Sequence, residues 1–238
     1  MNKPLIVFLV FAFFAVIFFG VSTYTPPTED YLALEEQFNY YLSKDFNENL
    51  NFIEYVNDLS LEHTNENVKI SLVSLLEEEE FSGIIVDIKG YDVYVITQSD
   101  GFNTESHQRI FVEDFKSESY NGQLIDISED YPIALLKFTS DNASTYDTVE
   151  FSNTIPLEGE VISSISFDDG ILNHLELGTF STAVDDDYYQ LDMAFTATSV
   201  GSSVYDINLN LIGIRVLLDD EMMMLTSDHI SDFLELAG

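Results

Sequence analysis

The feature that most constrains this fold is a series of short segments, rich in β-branched and aromatic residues, that begins near Val68. Turn sequences such as KGYD, SDGF and DDG separate the segments, and no helical pattern lies between them. Many short strands at this spacing predict an antiparallel barrel or sandwich. The segments are VKISLVSL, SGIIVDI, DVYVITQ, RIFVEDF, GQLIDIS, IALLKF, EVISSISF, YYQLDMAFTA and LNLIGIRVLL.

The N-terminus carries a second strong signal. Residues 4–21, PLIVFLVFAFFAVIFFGV, are apolar without interruption and long enough to cross a bilayer as a helix. The stretch is long for the hydrophobic region of a signal peptide. Gly20 and Ser22 are nevertheless small enough for a cleavage site, so removal of the segment stays open. We predict that residues 1–22 form a transmembrane signal anchor.

The orientation of this anchor follows from the few basic residues around it. Lys3 precedes the span and the next basic residue is Lys44, with Glu29 and Asp30 between them. Because positive charge is retained on the cytoplasmic side, the N-terminus is expected in the cytoplasm and the chain after residue 22 outside. The prediction is a single-pass protein of the cell membrane with an extracytoplasmic domain.

Helical patterns lie between the anchor and the strands. Thr28 is a candidate N-cap for TEDYLALEEQFNYYL, and a weaker pattern, FNENLNFIEYVNDL, covers residues 46–59. The apolar residues of the first stretch share one helical face: Leu34, Phe38, Tyr41 and Leu42. We predict a helical juxtamembrane stalk over residues 23–66, whose apolar face could instead pack on the protein's own domain or on a partner helix. A C-terminal amphipathic helix is predicted for SDHISDFLEL.

The charge of the chain excludes some partners and favours others. The sequence holds 8 Lys and Arg residues against 43 Asp and Glu residues, a formal net charge of −35. Such a surface repels the phosphates of nucleic acids and the headgroups of anionic lipids, so we expect no nucleic-acid partner. It favours cations and basic proteins, or simply keeps an exported domain soluble.

The residue types that bind metals are poorly placed. The chain has no cysteine, which excludes disulfides and thiolate metal sites. Acidic runs at 77–80, 185–187 and 219–221 lack the alternating spacing of a calcium-binding loop and are predicted to be solvated turns. We therefore expect no metal and no other cofactor. The histidines are too scattered for a zinc site: His63, His107, His174 and His229.

Taken in order, several segments resemble the protease domain of the HtrA/Deg branch of trypsin-like serine proteases, over roughly residues 68–238. The matching segments are SGIIVDIKGYDVYVIT, YPIALLKF, LEGEVISSISF, LELGTFSTA and SVGSSVYDINLNLIGI. The resemblance implies an all-β fold of two perpendicular six-stranded barrels, about 67–148 and 149–238, with the active site between them. The family usually adds a C-terminal PDZ domain, which we do not expect here, and its oligomeric state does not transfer, so that state stays open.

The family's chemistry needs a serine nucleophile, a histidine base and an orienting aspartate. By the resemblance these positions fall on Val200, Asp100 and Pro132, and the oxyanion-hole glycine falls on Thr198. Valine has no lone pair to attack with and proline has no side-chain acceptor. An exposed aspartate has too low a proton affinity to serve as base for an alcohol. The expected catalytic set is therefore empty.

One arrangement that would preserve hydrolase activity remains open from the sequence. Ser202 or Ser203 could act as a relocated nucleophile, with His107 as the nearest candidate base. This requires a loop to carry His107 into the cleft, while no aspartate is placed to hold its tautomer. Serines in such a stretch more often satisfy backbone groups of a tight turn.

These observations predict a membrane-anchored, catalytically inactive pseudoprotease that binds a protein or peptide, basic in character, outside the cytoplasm. Two alternatives stay open. One is an active serine endopeptidase with a relocated nucleophile. The other is a structural subunit of a larger envelope assembly, in which the anchor and the stalk carry the function.

Overall fold

Six antiparallel strands close the first barrel, in the order β1-β2-β3-β6-β5-β4. Their bounds are β1 Asn67–Val73, β2 Glu78–Lys89, β3 Asp92–Gln98, β4 Arg109–Glu113, β5 Ser119–Ile127 and β6 Ile133–Thr139. Both faces of β3 are buried. Val93 and Val95 point into the barrel, whereas Ile96 belongs to a hydrophobic cluster that continues into the second half of the domain. Gln98, two residues further on, shares the outward face with Ile96.

A second closed barrel follows, in the order β10-β11-β12-β9-β8-β7. Its strands are β7 Val161–Asp168, β8 Ile171–Ala183, β9 Tyr188–Asp192, β10 Ser203–Tyr205, β11 Leu211–Leu218 and β12 Glu221–Thr226. Every strand pair is antiparallel. The predicted pair of six-stranded antiparallel barrels is confirmed.

The computed structural model describes residues 29–237 except 46–51, 75–77, 103–108, 153, 169–170, 185–186, 195 and 220. The apolar segment 4–21 and His107 lie outside this part of the chain. No helix within it is both long and apolar enough to span a membrane.

In the described part of the chain three α-helices accompany the barrels: α1 Glu29–Asp45, α2 Phe52–Glu62 and α3 Ser227–Ala237. Helix α3 buries Ile230 and Phe233 in the cluster that joins the two barrels, as its amphipathic pattern predicts. The second predicted helical stretch, residues 46–59, is helical from Phe52 onward, and residues 46–51 lie outside the described part of the chain.

Helices α1 and α2 pack on the second barrel. Phe38 of α1 and Phe52 and Tyr55 of α2 form a buried cluster with Val161 and Ile207. The Tyr55 hydroxyl donates a hydrogen bond of 2.8 Å to Ser163 Oγ in β7, and burial raises the pKa of Tyr55 far above its usual value. The buried apolar residues of these helices therefore contact the protein's own domain. The side chains of Tyr41 and Leu42 lie outside the described part.

One local expectation from sequence is wrong, and one strand was not indicated by any sequence pattern. Glu78–Glu80 were predicted to lie in a solvated turn, but they form the start of β2 and pair with β1. They can do so because their side chains remain largely solvated at the edge of the barrel while the backbone completes the sheet. The segment EMMMLT forms β12, although its run of methionines lacks the β-branched pattern of the other strands.

Candidate binding cleft

Strand register brings together, at one end of the first barrel, two of the three segments that the family resemblance aligns with the triad. Gln98, the last residue of β3, pairs with Ile133, the first residue of β6. The amide of Ser99 then donates to the carbonyl of Pro132 at 3.0 Å. The segments that carry Asp100 and Pro132 are thus held together just beyond the sheet.

The third position lies in the loop that precedes β10, and the first barrel holds this loop in place. The loop contains a 3-10 turn, Ala197–Ser199, followed by Val200. Ser82 of β2 donates its amide to the Val200 carbonyl at 2.9 Å and its hydroxyl to the Thr198 carbonyl at 3.0 Å. One serine of the first barrel therefore fixes the loop of the second.

Gly201 is required by this arrangement. Its φ of +83° is one that glycine adopts without strain. A β-carbon at this position would also overlap the carbonyl oxygen of Ser82 and lie 2.6 Å from Oγ1 of Thr97. The amide of Gly201 donates to the carbonyl of Arg215 in β11 at 2.7 Å, so the loop is bonded to both barrels.

The side chains at the triad positions are a carboxylate, a pyrrolidine ring and an isopropyl group. Asp100 is exposed, and its Oδ2 accepts a hydrogen bond of 2.8 Å from Nε2 of Gln98. Pro132 is half-buried and Val200 is buried. None of these three side chains provides a hydroxyl, thiol or imidazole.

The two serines weighed as relocated nucleophiles point into the protein. Both are completely buried. Ser202 Oγ lies 3.0 Å from Ser164 Oγ, and Ser203 Oγ donates to Oδ1 of Asn67 at 2.9 Å. Ser203 is the first residue of β10, so its position belongs to a strand of the barrel core and not to a tight turn.

Beside the triad positions the cleft opens into a cavity of about 430 Å³. Its lining is strongly acidic and comes from both barrels. One wall is the start of β2, and the opposite side is formed by the turn after β3 and the 3-10 turn. The lining residues are Glu78, Glu79, Glu80, Phe81, Asp100, Gly101, Ala197 and Thr198. Lys69 of β1 forms ion pairs with Glu80 at 3.3 Å and with Glu113 at 2.9 Å.

A histidine in the C-terminal helix, which no sequence motif marked as functional, connects the two barrels. Nε2 of His229, in α3, lies 2.9 Å from Oδ1 of Asp187, and its Nδ1 lies 2.9 Å from the hydroxyl of Tyr131. Burial and the nearby carboxylate of Asp187 raise the pKa of Tyr131, so this phenol stays protonated and is a poor nucleophile. We interpret the three groups as a structural link.

A second polar cluster lies buried where α2 meets the barrels. Nδ1 of His63 lies 2.6 Å from Oε2 of Glu66, and the hydroxyl of Tyr205 donates to the same oxygen at 3.1 Å. Burial and the Glu66 carboxylate raise the pKa of Tyr205 well above its usual value. The second barrel also holds the fully buried Arg215, which pairs with Glu176 and donates to the carbonyl of Ala194. His63 and Glu66 are neighbours in sequence, but Tyr205 is 139 residues from Glu66 and Arg215 is 39 residues from Glu176, so no local pattern indicated these contacts.

Among the described residues, no group of three or more His, Asp and Glu side chains is arranged to hold a metal ion. His174 lies on β8, where its carbonyl accepts a hydrogen bond from Ser166. The described carboxylates of the acidic cavity are therefore not assigned a metal ion.

Comparison with known proteins identifies the fold. No family model and no curated protein matches the sequence. Among solved structures, a serine endoprotease from Yersinia pestis superposes with a TM-score of 0.64 at 18% sequence identity. The match covers 76% of this chain and 65% of that chain, which is less than two thirds of the endoprotease. At this level of identity the likeness establishes the fold alone. The domain has a trypsin-like double β-barrel fold.

Proposed function

We propose that this protein is a catalytically inactive relative of trypsin-like proteases. In this proposal residues 4–21 anchor it in the membrane, and the cleft between its barrels binds a basic segment of another protein outside the cytoplasm. The proposal rests on two features that occur together at the cleft: the absence of triad side chains and the presence of an acidic cavity. The family resemblance aligns Asp100, Pro132 and Val200 with the triad, and an acidic cavity of about 430 Å³ is lined in part by Asp100.

The absence of peptidase activity is supported by what surrounds those positions. An attacking oxygen must be exposed to substrate and within reach of a base. The hydroxyls of Ser202 and Ser203 are buried and bonded to other side chains of the core. The described histidine at the barrel interface, His229, has both ring nitrogens engaged, by Asp187 and by Tyr131. A relocated nucleophile is therefore the less favoured alternative.

A basic partner is supported by the charges at the cavity. Glu78 and Glu79 are exposed there, and Asp100, in the turn after β3 of the same barrel, lines the same cavity. Glu80 also lines the cavity. Within the described residues, Lys69, which bonds Glu80, is the only basic side chain that pairs with a carboxylate of the cavity. An acidic cleft on a chain of net charge −35 attracts cationic segments and speeds their encounter.

Charge reversal at the cavity tests this proposal. The full chain, solubilised from native membranes, is used to capture partners, and the same is done with Glu78→Lys/Glu79→Lys. The matched control, Asp141→Lys/Glu235→Lys, reverses two exposed carboxylates elsewhere and changes the net charge equally. We expect a partner that the wild type and the control retain and the cavity variant loses, with capture weakening as salt rises. Equal capture by all three proteins, or no stoichiometric partner, would contradict it.

A further inference from the structure

The side chain of Gln98 bonds to the backbone of the second barrel in an unusual way. It is only 1% exposed although it lies at the cleft. Its Oε1 accepts a hydrogen bond of 2.6 Å from the amide of Leu217, and its Nε2 lies 3.4 Å from the carbonyl of the same residue. The Gln98 carboxamide thus meets both the amide and the carbonyl of Leu217. A neighbouring antiparallel strand makes the same pair of contacts to a residue of its partner strand.

Leu217 lies on the part of β11 that extends beyond the end of the neighbouring strand β10. Strand β10 pairs with β11 only as far as Ile214. The next residue on that edge, Arg215, bonds to the loop before β10 through the carbonyl of Ser202 and the amide of Gly201. Residues two apart in a strand direct their polar groups to the same edge, so Leu217 follows Arg215 there. Within the described residues no strand pairs with this edge beyond Ile214.

An uncovered strand edge is a template for an added strand, because its amide and carbonyl groups can pair with an extended chain. The carboxamide of Gln98 now occupies this template. We propose that Gln98 is an internal competitor, and that a partner segment can pair with Leu217 only after it displaces the Gln98 side chain. This inference rests on the proposed function of the cleft and adds to it the regulation of the same site.

The same side chain couples the strand edge to the acidic cavity. Nε2 of Gln98 also donates to Oδ2 of Asp100 at 2.8 Å, and Asp100 lines the cavity. A segment that displaces Gln98 therefore takes a hydrogen-bond donor away from Asp100. A Lys or Arg side chain of the same segment can then donate a charge-assisted hydrogen bond to this exposed carboxylate. An extended segment with basic side chains satisfies both groups at once.

The test compares wild type with Gln98→Ala in the full chain in detergent. Gln123→Ala, an exposed glutamine of β5, is the matched control. The probe is a fluorescent peptide of alternating Arg and Val. A second peptide of the same sequence carries N-methyl groups on alternate amides, which keeps the charge and removes the donors needed for strand pairing. Amide hydrogen exchange at Leu217 is followed by mass spectrometry.

We expect exchange at Leu217 to be at least about tenfold faster in Gln98→Ala, and the unmethylated probe to bind that variant about tenfold more tightly, as removal of a competitor held by two hydrogen bonds predicts. Binding of the unmethylated probe should protect the Leu217 amide from exchange again. The methylated probe should not bind Gln98→Ala more tightly than wild type. Unchanged exchange at Leu217, or equal binding by wild type and Gln98→Ala, would overturn the inference.

Failure of this inference differs from failure of the proposed function. If both proteins bind the probe equally, and Glu78→Lys/Glu79→Lys abolishes that binding, the cleft binds basic segments and Gln98 does not compete. If the double charge reversal has no effect on binding, the proposed function itself fails. If Gln98→Ala exposes the Leu217 amide and still binds no probe, the vacated edge is not a docking template and the inference is refuted.

Discussion

The buried ion pair of Arg215 and Glu176 offers the sharpest test of how the second barrel supports the cleft. Arg215 is completely buried and Glu176 is 8% exposed. The Arg215 guanidinium also donates to the carbonyl of Ala194, six residues before Val200 in the loop that borders the cleft. Replacement by Met in Arg215→Met keeps an unbranched side chain and removes the charge. It leaves the carboxylate of Glu176 buried without its partner.

The expected size of the effect follows from desolvation. Removing one partner of a buried pair costs about 3–5 kcal/mol, because the remaining charge stays in a medium that solvates it poorly. Replacing both partners by apolar side chains of similar volume is often neutral or stabilising. In Arg215→Met/Glu176→Leu the Ala194 carbonyl loses its donor, at a cost of about 1–3 kcal/mol. The double variant should therefore be more stable than the single variant by about 2 kcal/mol.

Equilibrium unfolding in urea, followed by circular dichroism, measures both free energies of unfolding. A single variant within about 1 kcal/mol of wild type would show that Glu176 is not a buried charge in need of a partner. A double variant as unstable as the single one would show that the packing of the arginine side chain, and not its charge, supports the loop.

Three further predictions follow from particular contacts. Gly201→Ala should destabilise the protein by at least about 2 kcal/mol in urea unfolding, because of its positive φ and the overlap with Ser82, whereas Gly90→Ala, also at positive φ but with open space around it, should cost only about 1 kcal/mol. The raised pKa of Tyr55 means that the folded protein keeps this phenol neutral while the unfolded chain ionises it above pH 10. Stability should therefore fall as pH rises past 10, and Tyr55→Phe should reduce that slope by about 1.4 kcal/mol per pH unit. Phe38→Ala should lower the free energy of unfolding by about 3–5 kcal/mol, because Phe38 is fully buried against the second barrel; a helix that acts as an independent stalk would leave that free energy unchanged.

The strands of this fold could be read from sequence because their residues repeat with a period of two between turn residues. DVYVITQ coincides with β3 in full, and IALLKF with β6 except for its last residue. Strand β10 has only three residues, too few for a periodic pattern, and β12 is built from methionines. Both are stabilised by their neighbours in a closed barrel, which is tertiary information that a local pattern lacks.

The cleft was predictable only where the family resemblance could be followed residue by residue. It indicated Asp100, Pro132 and Val200, and the structure places the segments that carry Asp100 and Pro132 together through the bond from Ser99 to Pro132. It gave no indication of Gln98, because its partner Leu217 is 119 residues away in sequence. Contacts of this kind depend on how the two barrels face each other, and no local sequence pattern encodes that.

Covalent labelling by a fluorophosphonate probe tests the central claim, that this cleft lacks the chemistry of a serine protease. The purified full chain is incubated with the probe beside trypsin at equal concentration, and adducts are detected by intact mass. We predict no adduct on this protein, because Val200 has no hydroxyl and Ser202 and Ser203 are buried. A single adduct that disappears in Ser202→Ala or Ser203→Ala would contradict the claim and establish an active serine hydrolase.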